Sequence, residues 1–244
     1  MIRIAVESDF STIPQTESAV RIHGLKIAYG LEMSFLHFYS DGEGALLAIM
    51  DGVGILDSPS QLSDEWITFL LMNSDIRIIH CPEQVGRCLI NYDILKVNSG
   101  IVMIYEGGET ESSFDIEPNP YLPAVYDLLS NHFEGISEFN AWYPDASHRV
   151  RHDCCHVSCV LDKDMVISTA MTVAETDSAV IIGQVATHPD YRRKGLAERC
   201  VKSLIYKCKG KQLYILPLNE NARQLYNKIG FRNHSEWMEF TKQF

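Results

Sequence analysis

The chain has 244 residues, of which 46% are hydrophobic, and its formal net charge is −11. This length fits one large domain or two small ones, and the apolar content is sufficient for a buried core. The acidic balance argues against non-specific nucleic-acid binding, and no apolar run reaches the roughly 18 residues that a membrane helix needs.

The amino terminus and the cysteines indicate the compartment. The first residues lack the basic end and the apolar stretch of a secretory signal peptide. The seven cysteines are an odd number and do not have the spacing of a disulfide scaffold. We therefore expect a cytoplasmic protein in a reducing compartment.

Residues 1–107 are expected to form a small α/β domain. Periodicity and capping residues predict helices at 16–29 and from Ser63 to about 72, and strands at 34–40, 45–56, 76–81 and 101–105. The segment 108–119 is polar, acidic and rich in Gly, Ser and Pro, so it is expected to be a linker.

Residues 120–244 are expected to form a second domain. The patterns predict two helices at 121–133 and 137–143, a meander of strands at 155–161, 166–174 and 179–187, a helix from Gly195, a strand at 213–218 and a last helix after Asn219.

A basic glycine loop joins the strand at 179–187 to the next helix. Arg192, Arg193 and Lys194 precede Gly195, and apolar residues at helical spacing follow it. A helix N-terminus offers free N–H groups and partial positive charge, so it binds phosphate, and Gly195 lets an anion approach the backbone. The alternative is an ordinary strand-loop-helix with a solvated basic turn.

Charge is distributed unevenly around this loop. Residues 192–244 hold 12 Lys or Arg and 4 Asp or Glu. Residues 1–191 hold 9 Lys or Arg and 28 Asp or Glu. The basic segment suits a cofactor with several phosphates. The acidic remainder either steers a cationic amine toward the protein or only keeps the protein soluble.

A second pattern follows in the last helix. Asn219 is placed to cap this helix, Gly230 is placed to end it, and Tyr226 falls in its apolar stripe. The alternative for Tyr226 is a packing role alone.

Together the two patterns resemble the GNAT N-acetyltransferase superfamily. Arg192-x-x-Gly195-x-Ala197 is similar to its acyl-CoA pyrophosphate loop. The second signature of the family, an Asn followed by Leu-Tyr and then Gly-Phe, is similar to Asn219, Leu225-Tyr226 and Gly230-Phe231. The resemblance covers about 120–244, and the order of elements in residues 1–107 vaguely resembles a degenerate GNAT half without the loop.

The resemblance implies an α/β fold with a mixed, mostly antiparallel sheet flanked by helices. It also implies acetyl transfer from acetyl-CoA to a primary amine by direct attack in a ternary complex, without a metal. The amine is a small molecule, a protein N-terminus or a lysine, and GNAT proteins often form homodimers. The alternatives are a non-catalytic, regulatory acyl-CoA-binding module and a structural pairing protein without a ligand.

The resemblance also assigns residue roles. The backbone of residues 185–187 would bind the pantetheine arm, and the amides of residues 193–197 would hold the pyrophosphate. Tyr226 would protonate the departing CoA thiolate as the catalytic residue. The predicted cofactor-binding residues are Val185, Ala186, Thr187, Arg192, Arg193, Lys194, Gly195, Leu196, Ala197 and Asn219.

Two further features bear on the general base and on metal binding. Many GNAT members carry a Glu on the strand before the loop, but this chain has Gly183 and Gln184, so the general base stays open among Glu175, His156, His188 and water. In a strand, His152, Cys154 and His156 would share one face. Their spacing matches no standard zinc site, so we expect no metal.

Overall fold

The computed structural model describes residues 1–108, 120–133 and 135–243. Two compact units emerge, unit 1 with residues 1–102 and 233–244, and unit 2 with residues 103–232. This division differs from the predicted domains at the carboxyl end, because residues 237–241 pair with a strand of unit 1. The predicted linker, apart from Gly108, lies outside the described residues.

Unit 1 is built on a mixed sheet. Its strands are β1 (Arg3–Ile4), β2 (Leu36–Ser40), β3 (Leu46–Met50), β4 (Val53–Asp57), β5 (Ile78–Pro82), most of β6 (Leu95–Tyr105) and most of β11 (Phe231–Lys242), and its helices are α1 (Glu17–Tyr29), α2 (Asp64–Met72) and α3 (Glu83–Gly86). The order β1-β2-β3-β4-β5-β11 is antiparallel except for the β4–β5 pair.

Short-range signals set the ends of these elements. The Thr16 hydroxyl accepts a hydrogen bond from the Ala19 amide at 3.0 Å, so α1 begins where the sequence predicts. The single strand predicted at 45–56 is wrong. Asp51 and Gly52 both have positive φ, 51° and 83°, and form a two-residue hairpin turn between β3 and β4.

The interior of unit 1 holds a charged cluster beside its apolar core. Glu17 is buried, and its carboxylate contacts the Arg21 guanidinium and lies 2.9 Å from the His80 ring. Burial alone raises the pKa of Glu17, but Arg21 and His80 outweigh burial and lower this pKa to about 2. Glu17 is therefore ionised across the neutral range.

We expect Glu17 to make unit 1 acid-sensitive. Its folded-state pKa lies below the reference value of 4.5, so its contribution is present above about pH 4.5 and is lost as the pH falls toward 2. The contribution is on the order of 3 kcal/mol. Denaturant unfolding of Glu17→Gln should show lower stability at pH 7 and a smaller loss between pH 5 and pH 3 than the exposed control Glu43→Gln. Equal losses in the two variants would contradict this role.

Unit 2 is also built on a mixed sheet. Its strands are the end of β6, β7 (Val157–Asp162), β8 (Met165–Glu175), β9 (Ala179–Thr187) and β10 (Gln212–Ile215), and its helices are α4 (Leu122–His132), α5 (Phe139–Arg151), α6 (Leu196–Lys207) and α7 (Glu220–Ile229). The order is β6-β10-β9-β8-β7, with only β9–β10 parallel. The predicted meander and the mixed, mostly antiparallel fold class are confirmed.

Helices cover the sheet of unit 2 with apolar side chains. Leu129 of α4 and Trp142 of α5 belong to one buried cluster with Met171 of β8. Cys200 and Leu204 of α6 are also buried, as the helical spacing after Gly195 predicts. In the part of the chain that the structure describes, no helix is both long and apolar enough to cross a membrane.

The second helix of unit 2 is longer than predicted. The prediction ended it at 143, but α5 includes Pro144 and continues to Arg151. The strand predicted at 155–161 begins only at Val157, so His152, Cys154 and His156 lie before it. Their grouping on one face of a strand does not occur.

Candidate active site

An opening forms where β9 and β10 separate. The two parallel strands pair only at residues 179–182 of β9 and 212–215 of β10. Beyond Ile182, β9 continues to Thr187, whereas β10 ends at Ile215. Within the described ranges, residues 183–187 therefore have a strand partner only on the β8 side. Apart from the Thr187 carbonyl, which accepts a hydrogen bond from the Arg192 side chain, their polar backbone atoms on the other side are available to a ligand.

A β-bulge lies at the centre of this open edge. Gln184 has a φ of 48°, and the β8–β9 register shifts at Gln184 and Val185. The Gln184 side chain accepts a hydrogen bond from the Trp142 indole at 3.2 Å. Bulges redirect backbone groups and are frequent beside active sites. The sequence did not reveal this bulge, because glutamine carries no signal for a positive φ.

The basic glycine loop follows at the end of β9. Gly195 is the N-cap of α6 with a φ of 75°, and Arg193 before it has a φ of 66°. The Arg199 amide makes the first bond of the helix, to the Gly195 carbonyl at 3.1 Å, so the preceding amides are free of helical partners. Among the described residues, apart from the two chain neighbours of Gly195, no heavy atom lies within 4 Å of a Cβ added at Gly195. The loop thus offers an open concavity of donors.

Cationic side chains surround these amides. Arg192, Arg193 and Lys194 are all exposed. The Arg192 Nε donates to the Thr187 carbonyl at 3.2 Å, and the Lys194 Nζ lies 4.7 Å from the centre of the Tyr191 ring. These contacts attach two of the cations to the loop, where they favour an anionic ligand.

The one acidic residue in the first turn of α6 is neutralised. Glu198 is bound by Lys202 at 2.9 Å and by Lys228 at 2.6 Å. The hydrogen bonds from Lys228 and Lys202 lower the pKa of Glu198, so Glu198 is ionised at neutral pH and its charge is paired. The Lys228 contact also joins α6 to α7. The positive end of α6 is therefore not cancelled by its own side chain.

Helix α7 carries the predicted proton donor. The Asn219 side chain accepts a hydrogen bond from the Ala222 amide at 3.0 Å, which confirms the predicted cap. Tyr226 is only 5% exposed, and its ring lies 6.1 Å from that of Phe231. Burial raises the pKa of Tyr226 well above its usual value, so the phenol stays neutral and can donate a proton.

The three candidate bases lie at different ends of β9. Glu175 pairs in register with Val180 near the start of β9, and its carboxylate contacts His156 and Lys211. His188 immediately follows β9 at the loop end, with its ring centre 5.1 Å from that of His132. Along β9, Glu175 and His188 therefore lie on opposite sides of Gln184.

A family model accounts for the carboxyl-terminal part of the chain. Residues 157–240 match the model described as GNAT acetyltransferase. The match runs from β7 into β11 and includes the loop, α6 and α7. The GNAT resemblance of the C-terminal half is confirmed. A search of curated proteins finds no match to this sequence.

Solved structures of GNAT proteins share the fold. A GNAT-family protein from Novosphingobium aromaticivorans is 16% identical with a TM-score of 0.61, covering 92% of this chain and 96% of its own. A GCN5-related N-acetyltransferase from Sphaerobacter thermophilus is 13% identical with a TM-score of 0.60. The similarity covers 99% of this chain and 95% of that protein's chain. A GNAT-family acetyltransferase from Colwellia psychrerythraea is 13% identical with a TM-score of 0.58, covering 100% of both chains.

These similarities concern the fold alone. Because they extend over nearly the whole length of each chain, the N-terminal half is also GNAT-like in structure. Fold does not determine the acceptor, which depends on the site itself.

Proposed function

We propose that this protein is an N-acetyltransferase that moves the acetyl group of acetyl-CoA to a primary amine. The observation that carries the proposal is the opening between β9 and β10, which leads to the glycine loop at the N-terminus of α6. The open edge of β9 thus offers backbone hydrogen-bond partners for an extended ligand that contains amides. The loop that follows it offers backbone N–H donors for phosphates.

Each part of acetyl-CoA has a complementary group. The polar backbone of Val185, Ala186 and Thr187 suits the amides of the pantetheine arm, which would extend the sheet in place of β10. The free amides at 193–197 and the exposed cations of the loop suit the pyrophosphate. Asn219 contributes as the cap of α7 and keeps its amide nitrogen for the cofactor.

The transfer proceeds by direct attack of the neutral amine on the thioester carbonyl. The C–N bond forms as the C–S bond breaks, the CoA sulfur takes a proton from the Tyr226 phenol, and the amine releases a proton. Backbone donors at the Gln184 bulge stabilise the negative charge that develops on the carbonyl oxygen. The released proton leaves through water or His188.

A second candidate is a regulatory module that binds acyl-CoA without turnover. The observation that favours it is the absence of a carboxylate at the bulge, where the Gln184 side chain is instead bonded to Trp142. An amide cannot accept a proton at neutral pH.

Calorimetric titration with acetyl-CoA, followed by a thiol-release assay over a panel of amines, distinguishes these functions. We expect micromolar binding and CoA release that depends on one class of amine. Binding without release on any amine would support the regulatory module. No binding would overturn both and leave a structural protein.

A further inference from the structure

Three side chains that are far apart in sequence meet beside the C-terminal end of α6. His156 precedes β7, Glu175 ends β8, and Cys208 caps α6. Their potential ligand atoms, one nitrogen, one oxygen and one sulfur, all lie within 4.8 Å of one another. We propose that His156, Glu175 and Cys208 form a binding site for a divalent transition metal such as zinc.

The distances fit a tetrahedral ion with little rearrangement. Zinc binds nitrogen and oxygen at about 2.0–2.2 Å and sulfur at about 2.3 Å, which places its ligand atoms roughly 3.3–3.7 Å apart. The His156 Nε2 lies 3.4 Å from the Glu175 Oε1. This pair already has the required separation, and Cys208 needs to approach by about 1 Å at most.

The surrounding structure holds the ligands in place. The His156 amide donates to the Thr172 hydroxyl at 2.8 Å, and this hydroxyl donates to the Glu175 Oε2 at 3.3 Å. The Thr172 amide donates to the His156 carbonyl at 2.9 Å. Thr172 thus fixes two ligands at once and leaves the Glu175 Oε1 for an ion, as outer partners do at metal sites.

The charges also suit a divalent cation. The Glu175 carboxylate and the Cys208 thiolate would supply two negative charges, and His156 would bind as a neutral ring. In this structure the Lys211 Nζ lies 2.9 Å from the Glu175 Oε1, where it provides a single positive charge. Lys211 is partly exposed, so its flexible side chain can move away when an ion binds.

A cavity lies beside the part of the site formed by Cys208 and Lys211. Cys208 and Lys211 line a cavity of about 370 Å³ together with Tyr105, Tyr206 and Leu213. A water molecule that enters from this cavity would complete a tetrahedral set. Cys208 itself is only 2% exposed, which protects the thiolate once the ion is bound.

The site lies at the opposite end of α6 from the glycine loop. Helix α6 has 12 residues between the glycine loop and Cys208, a length of about 18 Å. We expect the metal to stabilise unit 2, because it would join the end of α6 to β8 and to the residue before β7. Metal binding should raise the unfolding temperature at concentrations above the dissociation constant.

The test is a zinc titration of the full chain, followed by calorimetry and thermal unfolding, with cobalt as a spectroscopic probe. The wild type should bind one zinc ion and show a thiolate-to-cobalt charge-transfer band. Cys208→Ser should lose the band and at least 10-fold in zinc affinity, whereas the control Cys88→Ser in unit 1 should not. Lys211→Met should bind zinc more tightly than the wild type, because a competing cation is gone.

A second variant keeps the test decisive if Cys208→Ser does not fold. His156→Asn removes a ligand at a less buried position and should also weaken zinc binding at least 10-fold. The proposal is overturned if the wild type binds no zinc, or if the variants Cys208→Ser, His156→Asn and Cys88→Ser all bind zinc as the wild type does.

Discussion

Replacement of Gly195 by glutamate is expected to weaken acetyl-CoA binding by at least about 100-fold, equivalent to ~2.7 kcal/mol. Gly195 has a φ of 75°, which costs a side-chain-bearing residue about 1–2 kcal/mol. The new carboxylate would also lie beside the free amides of α6 and repel the pyrophosphate. Calorimetric titration with acetyl-CoA measures the loss.

Two matched variants separate the effect of the backbone penalty from that of the added charge. Gly195→Ala has the same backbone penalty without a charge, so it should lose far less affinity than Gly195→Glu. Gly30→Glu places a glutamate in unit 1 at a φ of 73°, where an added Cβ has no non-adjacent neighbour within 4 Å in the part of the chain that the structure describes. Its acetyl-CoA affinity should equal that of the wild type. Unchanged binding by Gly195→Glu would remove the loop from the cofactor site.

Replacement of Tyr226 by phenylalanine is expected to lower turnover by about 100-fold or more, the usual contribution of a positioned general acid. Without the phenol, the departing thiolate must take its proton from water. Acetyl-CoA affinity should change little, because the ring and its packing on Phe231 are kept. Steady-state kinetics with the amine found in the screen would give kcat and KM separately.

Tyr105→Phe is the matched control for this variant. Tyr105 packs against the same Phe231 with ring centres 5.2 Å apart, and its hydroxyl donates to the Gly108 carbonyl at 2.8 Å. Its turnover should remain near the wild-type value. If Tyr226→Phe and Tyr105→Phe were equally active, Tyr226 would be a packing residue only.

The loss in Tyr226→Phe should also be independent of pH over the neutral and mildly alkaline range. Burial raises the pKa of Tyr226, so the wild-type phenol keeps its proton throughout this range. A ratio of wild-type to variant turnover that fell sharply between pH 7 and pH 9 would contradict a protonated donor.

The sequence by itself determined the features that depend on neighbouring residues. The helix caps at Ser63 and Asn219, the N-terminus of α6 at Gly195 and the meander of β7, β8 and β9 follow from local hydrogen bonding and apolar periodicity. The two GNAT patterns are equally local. They predicted the fold class of the C-terminal half without any knowledge of long-range contacts.

Only the tertiary structure decided the features that depend on distant contacts. The bulge at Gln184 arises from pairing with β8, and the continuation of α5 past Pro144 arises in a helix whose Trp142 and Ala146 are buried. The division of β11 between the two units depends on its pairing with β5. In each case packing or strand pairing outweighs the local preference of the residue.

The proposed metal site shows the same limit most clearly. Linear spacing groups His156 with His152 and Cys154, whereas the folded chain brings His156 together with Glu175 and Cys208, which lie 19 and 52 residues further on. Ligand spacing in sequence is informative only when one turn or one helix carries the ligands. Here the sheet and the end of α6 bring them together, and that geometry exists only after the chain has folded.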